Sequence, residues 1–96
     1  MVKMIFEYEV PAEKQEAYLR ETREKVKPLW ESKGCKGYHV WQESENPNRF
    51  VKEMYFDDAA QVKETMALKE TDPVKEIFYK YAANVTRKLC VLKTGS

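Results

Sequence analysis

The chain is poor in the features that usually announce a function. Its 17 basic and 16 acidic side chains leave a formal charge of +1, and no basic patch interleaved with aromatics offers a grip on nucleic acid. There is one histidine. A single imidazole with scattered carboxylates is too little for a zinc or iron site, so neither a metal nor another cofactor is expected. The two cysteines, Cys35 and Cys90, fit no CxxC or zinc spacing and read as free thiols. No apolar run approaches the ~20 residues that cross a bilayer. The opening "MVKMIFEYEV" alternates and carries two Glu, unlike the apolar core of a signal peptide. The expectation is a cytoplasmic protein without membrane contact. Repeats, low-complexity tracts and linkers are also missing. The 96 residues form one domain, residues 1–93, with the polar "TGS" of 94–96 as a flexible tail.

What is present is a clear order of elements. Val2, Met4, Phe6, Tyr8 and Val10 alternate with Lys3, Ile5, Glu7 and Glu9, which predicts a strand from Val2 to Val10 with the two sets on opposite faces. Pro11 ends it. From about Ala12, Tyr18, Leu19, Thr22, Val26, Leu29 and Trp30 recur at helical steps. Pro28 lacks an N–H and predicts a kink or an early end, and Gly34 a stop. A second strand, Cys35 to Glu43, and a third, Arg49 to Phe56, flank the turn-forming "SENPN". Asp57 or Asp58 caps a short helix carrying Ala59, Val62 and Met66. Thr71-Asp72-Pro73 starts another, with the stripe Val74, Ile77, Phe78, Tyr81 and Val85. Thr86 to Lys93 is the last strand.

The order β-α-β-β-α-β, with its second helix broken in two, is the ferredoxin-like α+β plan: a four-stranded antiparallel sheet with helices on one face. The other face should be polar if solvated, yet Ile5, Trp41 and Tyr55 oppose apolar neighbours on their strands. Large side chains on both faces call for a cover. In a one-domain chain, a second copy in two-fold symmetry is the cheapest, so a homodimer through the open sheet face is expected.

Three stretches carry a family resemblance: "GCKGYHV" (Gly34 to Val40), "ENPNRFVKEMYFDDAAQV" (Glu45 to Val62) and "TDPVKEIF" (Thr71 to Phe78). They resemble the second strand, the hairpin with its following helix, and the last helix of the dimeric α+β barrel superfamily. Within it they look most like the antibiotic-biosynthesis-monooxygenase domains. The resemblance implies a dimeric α+β barrel, with a pocket in each subunit between sheet and helices. Relatives include cofactor-independent oxygenases of quinols and polyketide aromatics, haem-degrading enzymes, and proteins of no known activity. Family enzymes often carry a His in the short helix. Here "KETMALKE" puts Thr65 there. Ile77, Phe78 and Tyr79 stand where haem-degrading members have their iron-binding His, which argues against haem.

On the residues themselves, His39 is the natural general base, because only imidazole ordinarily titrates near neutrality. It could take the proton of a phenol or hydroquinone, whose anion then reduces dioxygen. The alternative is an imidazole at a strand surface. Trp41, Tyr38, Tyr55 and Tyr79 are candidate walls for a flat aromatic substrate, or interface and core rings. Strand alternation puts Tyr38 on one face and His39 with Trp41 on the other, so one pocket is not expected to hold all three. Glu7 and Glu53 would need partners beneath a dimer interface, with Arg49, Lys52 or Arg87 available. Two functions stay open: a cofactor-free monooxygenase acting on a small aromatic or quinol, and a non-catalytic barrel that binds a small ligand.

Overall fold

The computed structural model describes residues 1–95. Among them, β1 (Val2–Glu9), β2 (Gly37–Gln42), β3 (Arg49–Phe56) and β4 (Ala83–Val91) form an antiparallel sheet in the order β2-β3-β1-β4. The first crossover comprises a 3-10 turn (Ala12–Lys14), α1 (Gln15–Glu21), a π-helical stretch (Thr22–Val26) and α2 (Lys27–Ser32). The second comprises α3 (Ala59–Met66), a 3-10 turn (Lys69–Thr71) and α4 (Asp72–Tyr81). This is the α+β, ferredoxin-like arrangement read from the element order. None of the helices is long and apolar enough to cross a membrane.

Period-two alternation builds the core. Val2, Met4, Phe6 and Tyr8 of β1 are buried with Val10 beyond it, and Phe50, Met54 and Phe56 of β3 point the same way. Tyr18, Val26, Trp30, Val74, Phe78 and Tyr81 close over them from the helices. Asp58 caps α3, its Oδ1 accepting from the Gln61 N–H at 2.8 Å. Cys35 and Cys90 are free, one just before an edge strand and one within the other.

Several boundaries differ from the sequence reading. Of the two outcomes expected at Pro28, a kink or an early end, the early end does not occur: the helix runs on to Ser32, with an irregular, π-helical stretch directly ahead of it. Proline removes the bond to the carbonyl four residues back and crowds that carbonyl. A π-bulge widens the ladder there, so the helix continues. The first strand stops at Glu9, and the second is confined to Gly37–Gln42. Val85 is no part of the last helical stripe. The chain turns extended at Ala82, and β4 begins at Ala83, three residues early, and ends at Val91. A bulge permits this: between the pairs Glu7–Thr86 and Glu9–Ala83, Asn84 and Val85 stand against Tyr8 alone. Asn84 takes a positive φ of 53° there, and its side-chain amide donates to Glu9. Of the expected tail, Thr94 and Gly95 have no regular structure, and Ser96 lies outside the described residues.

Gly34 stops the first crossover helix with φ +106°. A Cβ there would also stand 2.9 Å from the Gln61 amide nitrogen, whose carbonyl already accepts from the Asp57 N–H. Gly34→Ala is expected to destabilise the protein by about 1–2 kcal/mol. A lower urea midpoint at unchanged slope would show it; an unmoved midpoint would mean the left-handed turn is not required.

Candidate functional site

The helix-covered face is mostly rings, but it also contains polar groups that a simple core would not hold. Tyr8 and Tyr18 share a short hydroxyl–hydroxyl hydrogen bond, with Tyr8 stacked on Phe50 and edge-on to Phe78. Burial pushes the Tyr18 phenol up to about 12, against the pull of the Tyr8 and Thr22 hydroxyls. It pushes Tyr8 and Tyr38 up as well. Among these rings lies Lys52, only 3% exposed. Its Nζ sits 3.5 Å from the Phe78 ring centroid, 4.2 Å from that of Phe6 and 5.6 Å from that of Tyr38. No carboxylate pairs with it among the described residues. Burial drives this amine down to about 7 from 10.5. The ring faces act the other way, since their quadrupoles favour the ammonium.

Beside this interior an open hollow of about 340 Å³ runs between the first crossover helix and β2. Leu19, Thr22, Arg23 and Lys27 form one wall, and Tyr38, His39, Val40 and Trp41 the other. Two buried polar atoms in these walls have no hydrogen-bond partner: Thr22 Oγ1 and the Tyr38 hydroxyl. Thr22 stands close enough to Tyr18 to act on its pKa, but without a hydrogen bond of proper geometry. A buried hydroxyl left unsatisfied costs about 1–3 kcal/mol, and both oxygens are enclosed by the wall rather than open to the hollow.

The open face of the sheet holds a different cluster, centred on Glu53. Lys3 Nζ donates to it at 2.8 Å, Trp41 Nε1 at 3.0 Å and the Tyr55 hydroxyl at 3.4 Å. The Lys3 hydrogen bond holds the Glu53 carboxyl below its ordinary range. His39 lies edge-on to the Tyr55 ring and tilted against Trp41. A second, larger open hollow of about 580 Å³ lies between Lys3, Tyr55 and Cys90 on one side and Leu92 to Gly95 on the other.

Residues 1–70 match the family described as antibiotic biosynthesis monooxygenase. The chain belongs to the antibiotic biosynthesis monooxygenase family. No curated protein matches it by sequence. Among solved structures it is similar in fold to an antibiotic biosynthesis monooxygenase at 19% identity, with a TM-score of 0.77 over 98% of this chain and 100% of the other. It is likewise similar to SnoaB, a cofactor-independent oxygenase from Streptomyces nogalater, at 12% identity and a TM-score of 0.79 over 98% and 94%. A conserved protein from Methanosarcina mazei Go1 superposes with a TM-score of 0.79 at 15% identity over 96% and 92%.

Within this family member the expected site residues separate. Tyr38 is buried on the helix side, at 2% exposure. His39 and Trp41 lie exposed on the open face, Trp41 at 58%, and Tyr55 joins them there, half-buried. Tyr79 borders neither hollow; it leans on Phe78 from the outside of α4 and is 55% exposed. Alternation does put Tyr38 on one face and His39 with Trp41 on the other, but the expectation that one pocket would not hold all three fails for a specific reason. β2 is the sheet's edge, and the hollow runs along its free side, so residues from both faces border it. Glu53 finds Lys3 as its partner rather than Arg49, Lys52 or Arg87; Lys52 has the opposite strand parity and faces inward. Lys52 and Thr22 are the residues that sequence reasoning missed. The signal for Lys52 was present in "FVKEMYF", where it shares parity with Phe50, Met54 and Phe56.

Burying an unpaired amine opposes folding. With its folded pKa near 7 and its unfolded pKa at 10.5, both states are protonated below pH 7 and the cost is full there. Between pH 7 and 10.5 only the unfolded chain keeps the proton, so stability climbs as pH rises. Lys52→Met is therefore expected to stabilise the protein by about 1–4 kcal/mol at pH 6. The gap should narrow toward pH 9.5 in paired urea titrations. A variant that is less stable at every pH would mean that the ring cage more than offsets the desolvation.

Proposed function

We propose that this family member is a cofactor-independent monooxygenase-like protein that takes a small aromatic or quinol substrate into the hollow between the first crossover helix and β2. The observation that carries the reading is the open hollow itself, largely apolar, with Tyr38, His39, Val40 and Trp41 along one wall. A flat ring fits against Leu19, Val40 and Trp41. An electron-rich phenolate or hydroquinone anion can then pass an electron to dioxygen itself. His39 is weakly supported as the base, because it stands at the exposed lip rather than inside with a tyrosine hydroxyl. That exposure also favours a second reading, a barrel that binds such a ligand without transforming it. For the open face we propose a second copy of the chain, which would cover Trp41 and enclose the Glu53 cluster.

Oxygen uptake with a panel of hydroquinones tests the enzyme reading. Trp41→Ala should raise KM about tenfold through the lost ring contact, while leaving the melting temperature little changed because Trp41 is exposed. His39→Ala should keep most of the rate, whereas removing a working general base costs about 100-fold or more. Ligand binding with no oxygen uptake would select the non-catalytic reading. Light scattering of dilute protein should give twice the 11.4 kDa chain mass; a monomer would remove the proposed cover.

A further inference from the structure

The hollow between the first crossover helix and β2 has a charged wall and an apolar one. Arg23 and Lys27 line it from the helix, Arg23 exposed and Lys27 half-buried. No Asp or Glu lines it, and Leu19, Val40 and Trp41 supply apolar surface. Glu24 and Glu31 lie within about a turn of Lys27 along the chain. Even so, neither cation makes an ion pair among the described residues. The same helical segment does pair charges elsewhere, where Lys25 reaches Glu21 at 3.6 Å. Two like charges four residues apart oppose a helix slightly, so local stability does not account for Arg23 and Lys27. Nor are they part of a general grip on polyanions, because the whole chain carries a formal charge of only +1. What sets them apart is their place, on the rim of an apolar hollow with no counter-charge.

The geometry points to Arg23 and Lys27 as specificity-determining residues that select an aromatic ligand bearing a carboxylate as a separate substituent on its ring. This deepens the reading of the hollow as an aromatic site and rests on it. The ring lies against Leu19, Val40 and Trp41, and the carboxylate turns to the helical wall. That group is already charged in solution near neutral pH, so the ring's own hydroxyl plays no part in the selection. The two cations divide the task. Arg23 offers a planar fork of N–H donors that matches the two oxygens of a carboxylate. Lys27 adds a point charge on a flexible stem, able to follow the group as the ring settles. Apolar surface on the facing side removes water from part of the contact, which strengthens it beyond a pair in bulk solvent. The hollow is open, so salt still weakens it. A neutral aromatic fits the same walls without this contact, and a cationic one is repelled.

The test compares naphthoate with the matched naphthamide, two probes of one ring and one planar head that differ in charge and have no ring hydroxyl. Each is titrated calorimetrically into the full chain at neutral pH. Naphthoate should bind about tenfold more tightly at low salt, and added salt should shrink the difference. The Arg23→Gln/Lys27→Met double variant, which keeps both stems, should bind the two probes equally, with the naphthamide affinity unchanged. Arg23→Glu should reverse the order, an outcome that a merely structural role for Arg23 does not produce. Trp41→Ala should weaken both probes alike, because it removes the ring contact they share. Equal binding by the natural protein, or a naphthoate advantage that survives in the double variant, would overturn the carboxylate assignment and leave the hollow as an aromatic site. Failure of the natural protein to bind either probe would overturn both readings.

Discussion

A four-stranded sheet has two faces, and this chain has helices for only one of them. That constraint arranges nearly everything else. On β1 and β3 one residue in two goes under the helices, which makes a dense aromatic core from so short a chain. The alternate residues are left half-covered on the open face, where Glu53 gathers Lys3, Trp41 and Tyr55 into a hydrogen-bonded cluster. The edge strands feel the constraint differently. β4 lies beyond the reach of the helices, so Leu89 and Val91 remain exposed although they share the parity of the buried Met4 and Val2. At the opposite edge the first crossover helix stands off β2, and the gap is the hollow.

The polar groups on the covered face conflict with its packing. Lys52 is wrapped by Phe6, Phe78 and Tyr38 with no counter-ion, and Thr22 and Tyr38 keep hydroxyls without partners. Each opposes folding by an amount comparable with a sizeable fraction of a small domain's stability. All three are enclosed beside the hollow rather than open to it: Lys52 does not line it, and neither hydroxyl oxygen has accessible surface. The π-helical stretch belongs to the same arrangement. It absorbs Pro28, and it also carries Thr22 and Arg23 into the wall.

Much of the fold was legible in local pattern. The alternation of β1 and β3, the Asp58 cap, the Gly34 stop and the Pro73 helix start are each written in a few neighbouring residues, because each depends on backbone geometry those residues control. The misreadings came where distant parts of the chain compete. The helix survives Pro28 because packing on both sides holds it together through a π-bulge. β4 starts early because pairing with β1 outweighs the helical spacing of Val85, and the bulge at Asn84 takes up the difference. Tyr79 looked like a pocket wall by residue type alone, but the turn of α4 faces it outward.

The sequence by itself determined the α+β plan, the inward parity of Tyr38 and Lys52, and the outward parity of His39, Trp41, Glu53 and Tyr55, since strand alternation is a local property. It also carried the family resemblance that residues 1–70 bear out. Only the tertiary structure decided that the hollow opens along the free edge of β2, so that it borders residues from both faces. Only it decided that Lys52 meets rings rather than a carboxylate, and that Lys3 is the residue that reaches Glu53. Those outcomes depend on which strands are neighbours and how far the helices extend over them, and no short stretch of chain contains that information.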